Sequence, residues 1–279
     1  MNKIWFITGA GSGLGKGITE AALRAGDRVV ATGRNLEKVR SAYPDVAPEN
    51  IAFVQLDVAN EAQAKAAVDE AVKRFGRIDV LVNNAGYSLL GNFEQMTTGE
   101  IQQQFATNFY GVVHLMYAVL PVMRRQHSGH IINISSVAGV VGLKHCAAYA
   151  ATKFAVEGLS LSVATEVEQF GIKITVVEPG FFRTSLLDAQ NVRWVSKVIE
   201  DYAPEGTAKD MWSPYDGKQP GDPAKLGDAL VKIAVMQNPP KVFIAGGDAL
   251  DVITPGIEER LREARAHEAL SKSTDGSFN

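Results

Sequence analysis

Short apolar runs rich in β-branched and aromatic residues alternate along this chain with longer helical patterns. Seven runs have this character: KIWFIT, RVVAT, IAFVQL, IDVLVN, HIINIS, IKITVV and KVFIA. Strands that are apolar on both faces and separated by helices are typical of a parallel sheet covered on each side. The pattern therefore predicts an α/β protein with a doubly wound, seven-stranded parallel sheet of the Rossmann type and helices on both faces.

The helical patterns between these runs are LGKGITEAALRAG, EAQAKAAVDEAVKRFG, IQQQFATNFYGVVHLMYAVLPVMRR and YAATKFAVEGLSLSVATEVEQFG. No repeat or Pro/Gly/Ser-rich linker divides the chain, so we expect residues 1–279 to form one catalytic domain. The alternation breaks at residues 185–222, a long segment without a strand pattern, and loops of that length are usually functional. A charged helical tail is predicted at residues 248–279.

Composition narrows the classes of protein further. With 46% hydrophobic and 21% charged residues, the chain can build a large core. A net charge of −3 without a basic cluster argues against a nucleic-acid partner. The single cysteine, Cys146, excludes an intrachain disulfide and suggests a reducing compartment. The N-terminal apolar run ends in glycines and is not followed by the cleavage site of a signal peptide. We also expect no apolar stretch to approach the ~18 residues needed to span a bilayer. These features predict a cytoplasmic protein.

The first predicted strand runs directly into a glycine-rich turn, Thr8-Gly9-Ala10-Gly11-Ser12-Gly13-Leu14-Gly15. Glycines let the backbone turn tightly and approach a pyrophosphate, while the start of the following helix offers free N–H groups and a positive dipole end. The spacing does not fit G-x-G-x-x-G. It fits T-G-x-x-x-G-x-G, and we expect a dinucleotide to bind here.

The second predicted strand ends at Ala31-Thr32-Gly33-Arg34-Asn35, where the adenosine ribose of a bound dinucleotide would lie. An acidic residue at this point would bind both ribose hydroxyls of NAD and repel a 2′-phosphate. The sequence has none. Arg34 can instead offer a planar set of donors to a phosphate and stack on adenine. The sequence therefore favours NADP(H) as cofactor.

Tyr149 and Lys153 lie four residues apart in a predicted helix. Residues with this spacing share one helix face, so the lysine ammonium can lie beside the phenol. A free tyrosine titrates near about 10. Because a nearby cation favours the phenolate, we expect Lys153 to lower the pKa of Tyr149 and let it exchange protons closer to neutral pH.

Taken together, the motifs resemble those of the short-chain dehydrogenase/reductase family over nearly the whole chain. Besides the glycine-rich turn and the Tyr-x-x-x-Lys pair, the matching positions are Asp57-Val58, Asn83-Asn84-Ala85-Gly86, Asn108, Ser136 thirteen residues before Tyr149, Pro179-Gly180 and Thr184. The resemblance implies that the catalytic residues are Asn108, Ser136, Tyr149 and Lys153.

The resemblance also implies the chemistry. NADPH would deliver hydride to a carbonyl carbon while Tyr149 protonates its oxygen and Ser136 donates a hydrogen bond to it, and alcohol oxidation would be the reverse. Lys153 would also bind the nicotinamide ribose, and Asn108 would help hold a water. The implied cofactor site contains Thr8, Gly9, Ser12, Gly13, Leu14, Gly15, Arg34, Asp57, Val58, Asn83, Ala85, Gly86, Tyr149, Lys153, Pro179, Gly180, Phe182 and Thr184, with Asn83 in a structural role.

Substrate contacts are expected from Ser136, Tyr149, His145, Phe181 and Leu187. Residues 185–222 follow Thr184 directly and are expected to form a lid over a medium-sized apolar ketone or alcohol. Apolar and aromatic residues are frequent in this segment: Leu186, Leu187, Trp194, Val195, Val198, Ile199, Tyr202, Met211 and Trp212. No metal is expected, because the histidines show no metal-ligand spacing.

Two other functions remain open. One is a regulator that binds NADP without turnover, since fold does not fix function. The other is an epimerase or dehydratase acting on nucleotide sugars, although such relatives generally carry T-G-x-x-G-x-x-G, and Ser12 stands where the second glycine is needed. Members of the resembled family usually form dimers or tetramers through the helices after the fourth and fifth strands. We therefore expect a homodimer or homotetramer, and the charged tail leaves the choice open.

Overall fold

The computed structural model describes residues 2–184 and 191–276. The strands in this part of the chain are β1 (Ile4–Ile7), β2 (Arg28–Gly33), β3 (Ile51–Gln55), β4 (Val80–Asn83), β5 (Ser88–Leu90), β6 (Gly129–Ile134), β7 (Ile172–Pro179), β8 (Val192–Trp194) and β9 (Val242–Ala245). Seven of them form one parallel sheet in the order β3-β2-β1-β4-β6-β7-β9. The predicted sheet is confirmed, and its strand order reverses between β1 and β4, which is where such folds bind ligands.

The helices cover both faces of this sheet. They are α1 (Gly13–Arg24), α2 (Leu36–Ser41), α3 (Glu61–Phe75), α4 (Thr98–Phe105), α5 (Gly111–Gln126), α6 (Ala147–Val167), α7 (Ala208–Trp212), α8 (Pro223–Val235), α9 (Gly247–Ala266) and α10 (Glu268–Lys272). A π-helical turn, Ala106–Tyr110, joins α4 to α5. The four predicted helical stretches correspond to α1, α3, α4 with α5, and α6.

Adjacent residues of β1 explain why its sequence shows no alternation. Trp5 packs with Ile18 of α1 and Leu230 of α8 in the apolar core on one face of the sheet. Phe6 packs with core residues of α3 and α5 on the other face. Both side chains are fully buried, so a strand covered on two sides has no polar face to reveal its period.

One helical stretch contradicts the expectation that no segment is apolar enough to cross a bilayer. Residues 98–126 reach a mean hydropathy of 1.3 in a window that meets the length and charge limits for a membrane span. In the fold, however, the inner side of α5 lies against the sheet, with Leu115, Val119 and Met123 fully buried. Core packing accounts for the apolar residues on this inner side, whereas Tyr110 and Tyr117 of the same stretch are exposed.

The expectation that residues 185–222 contain no strand is wrong. β8 pairs in parallel with β5, and the register joins Ser88 to Val192 and Leu90 to Trp194. A 3-10 turn at Glu200–Glu205, α7 and a second 3-10 turn at Ser213–Tyr215 follow. The predicted lid residues Leu186 and Leu187 lie outside the described residues.

The C-terminal tail is helical, as predicted. α9 begins on the sheet, where Ala249 and Ile253 are buried against Val137. From Ile257 to Gly276 every residue is exposed. The tail therefore leaves the sheet after its first two turns.

Candidate active site

The turn after β1 has the backbone geometry that its glycines predict. Gly9 and Gly13 have positive φ angles of 66° and 55°, a region that favours glycine. Gly15 is required for another reason, because a Cβ there would lie 2.3 Å from the carbonyl oxygen of Gly9. Gly15 thus lets α1 pack against the turn that precedes it.

Thr8 ties this turn to the end of the neighbouring strand. Its Oγ1 accepts hydrogen bonds from the backbone N–H groups of Asn84 (2.9 Å) and Ala85 (3.0 Å) and donates to the carbonyl of Val82 (3.2 Å). The Asn84 side chain donates back to the Thr8 carbonyl at 2.9 Å. The Asn-Asn-Ala-Gly motif is therefore anchored by the first residue of the glycine-rich turn.

A cavity of about 390 Å³ runs along this edge of the sheet. Most of the predicted cofactor residues line it: Gly9, Ser12, Gly13, Leu14, Arg34, Asp57, Val58, Ala85, Gly86, Tyr149, Lys153, Pro179, Gly180, Phe182 and Thr184. Thr8, Gly15 and Asn83 do not line it and support it from behind. Asn83 donates from its buried amide to Asn133 Oδ1 at 2.9 Å, which agrees with a structural role.

Cationic and polar side chains line the cavity beyond the end of β2. Arg34, Asn35 and Lys38 all contribute. Asn35 Oδ1 accepts the backbone N–H of Lys38 at 3.0 Å and so caps α2, which brings Lys38 to the same end of the cavity as Arg34. The sequence analysis missed Lys38, which lies four residues after Arg34 on the first turn of α2.

The predicted catalytic side chains meet at the other end of this cavity. Tyr149 and Lys153 lie on the first two turns of α6, with the lysine Nζ 5.6 Å from the centroid of the phenol ring. Lys153 Nζ donates to the carbonyl of Ile134, the last residue of β6, at 2.7 Å. Ser136 follows two residues later, and its side chain acts to lower the pKa of Tyr149. The ends of β6 and α6 thus assemble these three residues.

The predicted fall in the pKa of Tyr149 is wrong. Burial raises the pKa of Tyr149 to about 12, and hydrogen bonds with Ser136 and Ser88 oppose that rise without cancelling it. Burial also lowers the pKa of Lys153 to about 8. Each group is shifted toward its neutral form because low-dielectric surroundings disfavour charge, and the spacing of the two residues carried no information on burial.

Asn108 reaches the cavity from the π-helical turn between α4 and α5. Its Oδ1 accepts the backbone N–H of Tyr87 at 3.1 Å, and its Nδ2 donates to the Tyr87 carbonyl at 2.9 Å. Nδ2 also lies 3.5 Å from Thr152 Oγ1 on α6. Asn108 therefore connects the chain after the Asn-Asn-Ala-Gly motif to the helix that carries Tyr149.

Aromatic rings form one wall of the cavity beside Tyr149. The ring of Phe181 lies 5.6 Å from Trp212 and 5.8 Å from Tyr215, stacked in the second case. All three residues line the cavity, together with the apolar Leu90, Leu143, Cys146 and Val192. This end of the cavity suits an apolar molecule with one reacting polar group.

A family model described as short chain dehydrogenase matches residues 3–193, a range that includes the glycine-rich turn, Ser136, Tyr149 and Lys153. The chain belongs to the short-chain dehydrogenase family. It is thus an oxidoreductase by family.

Solved structures and curated relatives agree with this assignment. The crystal structure of a short-chain dehydrogenase from Streptomyces avermitilis is 37% identical, with a TM-score of 0.88 over 99% of each chain. The structure of ElxO with NADP bound is 31% identical, with a TM-score of 0.75 over 90% of this chain and 100% of ElxO. The 3-ketodihydrosphingosine reductase of Bacteroides thetaiotaomicron is 39% identical over 242 residues, which cover 85% of this chain and 86% of that protein.

The substrate residues predicted for this short-chain dehydrogenase are only partly brought together. Ser136, Tyr149 and Phe181 line the cavity, and Leu187 lies outside the described residues. His145 is buried but does not line the cavity, and its carbonyl accepts the N–H of Gly91 at 2.9 Å. The neighbouring Cys146 lines it instead.

Ser88 is a second functional candidate that the sequence did not reveal. It is buried on β5, lines the cavity and acts to lower the pKa of Tyr149. Its only sequence signal is its place two residues after the Asn-Asn-Ala-Gly motif. The strand pairing that fixes it involves a segment far away in the chain.

Among residues 2–184 and 191–276, no three His, Cys, Asp or Glu side chains lie together as a metal site would require. The buried His130 has a structural setting, with Nε2 2.8 Å from Thr175 Oγ1 on the next strand. Burial lowers the pKa of His130 to about 4, so this short-chain dehydrogenase carries it as a neutral imidazole.

Proposed function

We propose that this short-chain dehydrogenase is an NADP(H)-dependent oxidoreductase that transfers hydride between the nicotinamide and a carbonyl or secondary alcohol of a medium-sized apolar substrate. One observation carries the proposal. Tyr149, Ser136 and Lys153 line the same cavity as the glycine-rich turn and Arg34. A proton donor and a dinucleotide-binding turn therefore open into one space.

The residues at the glycine-rich turn fit a dinucleotide. Ser12 precedes α1 without a side-chain capping bond, and the first turn of this helix contains no acidic residue. Its N–H groups and positive dipole end remain available to a pyrophosphate. A Cβ at Gly13 would approach Thr184 at 3.5 Å, so glycine there keeps open the space between the two walls of the cavity.

The adenosine end supports NADP(H) over NAD(H). Arg34 and Lys38 line this end, and the residues directly after β2 include no carboxylate. Two cations suit a 2′-phosphate, which an acidic residue would repel. The bound NADP of the relative ElxO gives further support.

The geometry at Tyr149 supports its role as a proton donor. The bound cofactor would supply the hydride. The Tyr149 hydroxyl is protonated at neutral pH, as a phenol is at its ordinary pKa, and from its place in the cavity it can donate to a carbonyl oxygen as charge develops there. Ser136 reaches the same hydroxyl and would donate a hydrogen bond to that oxygen. The lysine ammonium holds its place through the Ile134 carbonyl, from which it would reach the nicotinamide ribose.

A carbonyl substrate with an apolar body fits the remaining space. Phe181, Trp212 and Tyr215 provide a wall that offers little hydrogen bonding, which favours burial of apolar surface. The name of the relative 3-ketodihydrosphingosine reductase supports a keto group and the direction of reduction. Residues 185–222, which supply Trp212 and Tyr215, would serve as the lid.

We also infer a cytoplasmic homo-oligomer. Tyr110, Tyr117, Phe154 and Leu161 leave large apolar surfaces exposed along α5, its preceding turn and α6, with Tyr117 70% exposed. Exposed apolar surface on two long helices favours association. Sedimentation of the wild type and of Tyr117→Glu tests this inference, and a monomeric wild type would contradict it.

The proposed activity is tested by NADPH consumption with a panel of ketones and aldehydes. Tyr149→Phe should lose at least ~10²-fold in kcat, the scale of a positioned acid, and should bind NADPH with nearly unchanged affinity. Tyr117→Phe, on the outer surface of α5, is the matched control and should turn over normally. Near-normal turnover by Tyr149→Phe would contradict the mechanism, and tight NADPH binding without turnover of any carbonyl compound would favour the regulator.

A further inference from the structure

Two buried carboxyl side chains, on α6 and β7, lie near each other outside the cavity. Glu157 on α6 is 8% exposed and Glu178 on β7 is 5% exposed. Neither lines the cavity, and the mechanism above uses neither. A buried carboxylate is costly unless a cation or hydrogen bonds compensate it, and the charge that acts on Lys153 is that of Glu157.

Glu157 and Lys153 converge at the turn that follows β6. A Cβ built on Gly139 would lie 3.2 Å from Cβ of Lys153, 3.3 Å from Oε1 of Glu157 and 2.4 Å from Oγ of Ser135. The lysine and the glutamate are also one helical turn apart on α6. Oε1 of Glu157 is buried and accepts no hydrogen bond within the described residues. The Ser135 hydroxyl and, more weakly, the lysine charge favour the ionised form of this carboxylate.

The electrostatics of the cluster follow from this arrangement. Burial raises the pKa of Glu157 to about 7, with the Ser135 hydroxyl opposing the rise, Glu178 of β7 adding to it and Lys153 of α6 opposing it. Burial raises the pKa of Glu178 to about 7 as well. Burial lowers the pKa of Lys153 to about 8, and the charge of Glu157 opposes this fall. Above about pH 7, Glu157 is the group that helps the lysine retain its proton.

We propose that Glu157 is a positioning residue for this site, whose carboxylate keeps Lys153 protonated and in place beside Tyr149. The proposal rests on the proposed function, in which the ammonium contacts the nicotinamide ribose and polarises the phenol. A protonated lysine has three N–H donors, enough for the Ile134 carbonyl and two ribose oxygens, whereas the neutral amine has two. Losing the proton therefore weakens cofactor binding as well as proton transfer.

The test follows NADPH affinity as a function of pH, measured by nicotinamide fluorescence from about pH 6 to about pH 10. In the wild type, affinity should fall as Lys153 loses its proton, and Lys153→Met should lack this step. In Glu157→Gln, the midpoint of the step should move down by about one pH unit, since a neighbouring charge shifts a pKa by that order. Near about pH 6, where Glu157 is protonated, the two proteins should bind NADPH equally.

Glu178→Gln is the matched control. It also removes a buried carboxylate from this cluster, but the charge it removes raises the pKa of Glu157 and does not favour the protonated lysine directly. Without Glu178, Glu157 should ionise more readily, so the midpoint should stay or move up. Glu157→Asp keeps the charge, so its midpoint should lie between those of Glu157→Gln and the wild type. It replaces Glu157→Gln if that variant fails to fold.

A midpoint that is unchanged in folded Glu157→Gln, or that falls equally in Glu178→Gln, would overturn the proposal. Wild-type protein that binds NADPH with the expected pH step but reduces no carbonyl compound would instead overturn the proposed activity alone.

Discussion

Replacing Thr8 by valine tests whether the hydroxyl at the start of the glycine-rich turn holds the cofactor site together. Valine has nearly the same shape, so packing at this 1% exposed position changes little. What changes is the hydrogen bonding, because Oγ1 serves two backbone N–H groups and one carbonyl. The carbonyl of Val82 keeps a partner, since it also accepts the backbone N–H of Thr8 at 3.0 Å. The N–H groups of Asn84 and Ala85 lose theirs.

A buried N–H group that is left without a hydrogen-bond acceptor lowers the free energy of unfolding by about 1–3 kcal/mol. Asn84 and Ala85 are only partly buried, so water replaces some of the loss and the lower part of that range applies to each. We therefore expect Thr8→Val to lower the free energy of unfolding by about 2–3 kcal/mol. Because Asn84 and Ala85 line the cavity, NADPH affinity should fall with it.

Thr32→Val is the matched control. Thr32 is fully buried on the neighbouring strand and its Oγ1 donates to one carbonyl, that of Ile7, at 3.1 Å. Losing one donated bond costs about 0.5–1.5 kcal/mol, and Thr32 does not line the cavity. Urea unfolding and NADPH titration of both variants measure the difference. Equal destabilisation, or equal NADPH affinity in Thr8→Val and the wild type, would refute the reasoning.

Two further changes probe the two ends of the cavity. Arg34→Ala should weaken NADPH binding by about 1.5–3 kcal/mol through loss of a charge-assisted contact. Parallel titrations should show that NADH binding is nearly unchanged. Equal losses of affinity for NADPH and NADH would mean that Arg34 only packs there. Trp212→Ala should raise KM for bulky apolar ketones more than for small ones. Trp194 packs against the same apolar cluster but does not line the cavity. Trp194→Ala should therefore lower Tm without changing the ratio of KM for bulky ketones to KM for small ones. Uniform KM effects across substrate sizes would contradict a substrate role for Trp212.

The main sheet could be predicted from sequence because its central strands, β1, β4, β6 and β7, are buried on both faces and read as continuous apolar runs. β5 and β8 could not, since each has three residues and too few positions to show a pattern. Their stability comes from the pairing of Ser88 with Val192 and its neighbours. That contact depends on the tertiary fold, which local propensity does not report.

The cofactor residues were predictable for a related reason. Parallel strands present their carboxyl ends at one edge, so motifs that follow β1, β2, β3, β4, β6 and β7 must meet there. Which member of a motif faces the cavity was harder to predict. Thr8 and Asn83 lie within the motifs yet point into the structure behind the cavity, and Lys38 and Ser88 lie outside them yet line it.

The protonation of Tyr149 shows where a spacing rule fails. A lysine one turn away lowers the pKa of a phenol when the lysine is charged, but burial that protects the phenol also disfavours the ammonium. The pair therefore depends on a negative charge that the Tyr-x-x-x-Lys motif does not contain. Glu157 lies one further helical turn along α6, so Tyr149, Lys153 and Glu157 continue the same i, i+4 series. The carboxylate of Glu157 favours the protonated form of the buried Lys153, and a protonated Lys153 is what proton transfer at Tyr149 requires.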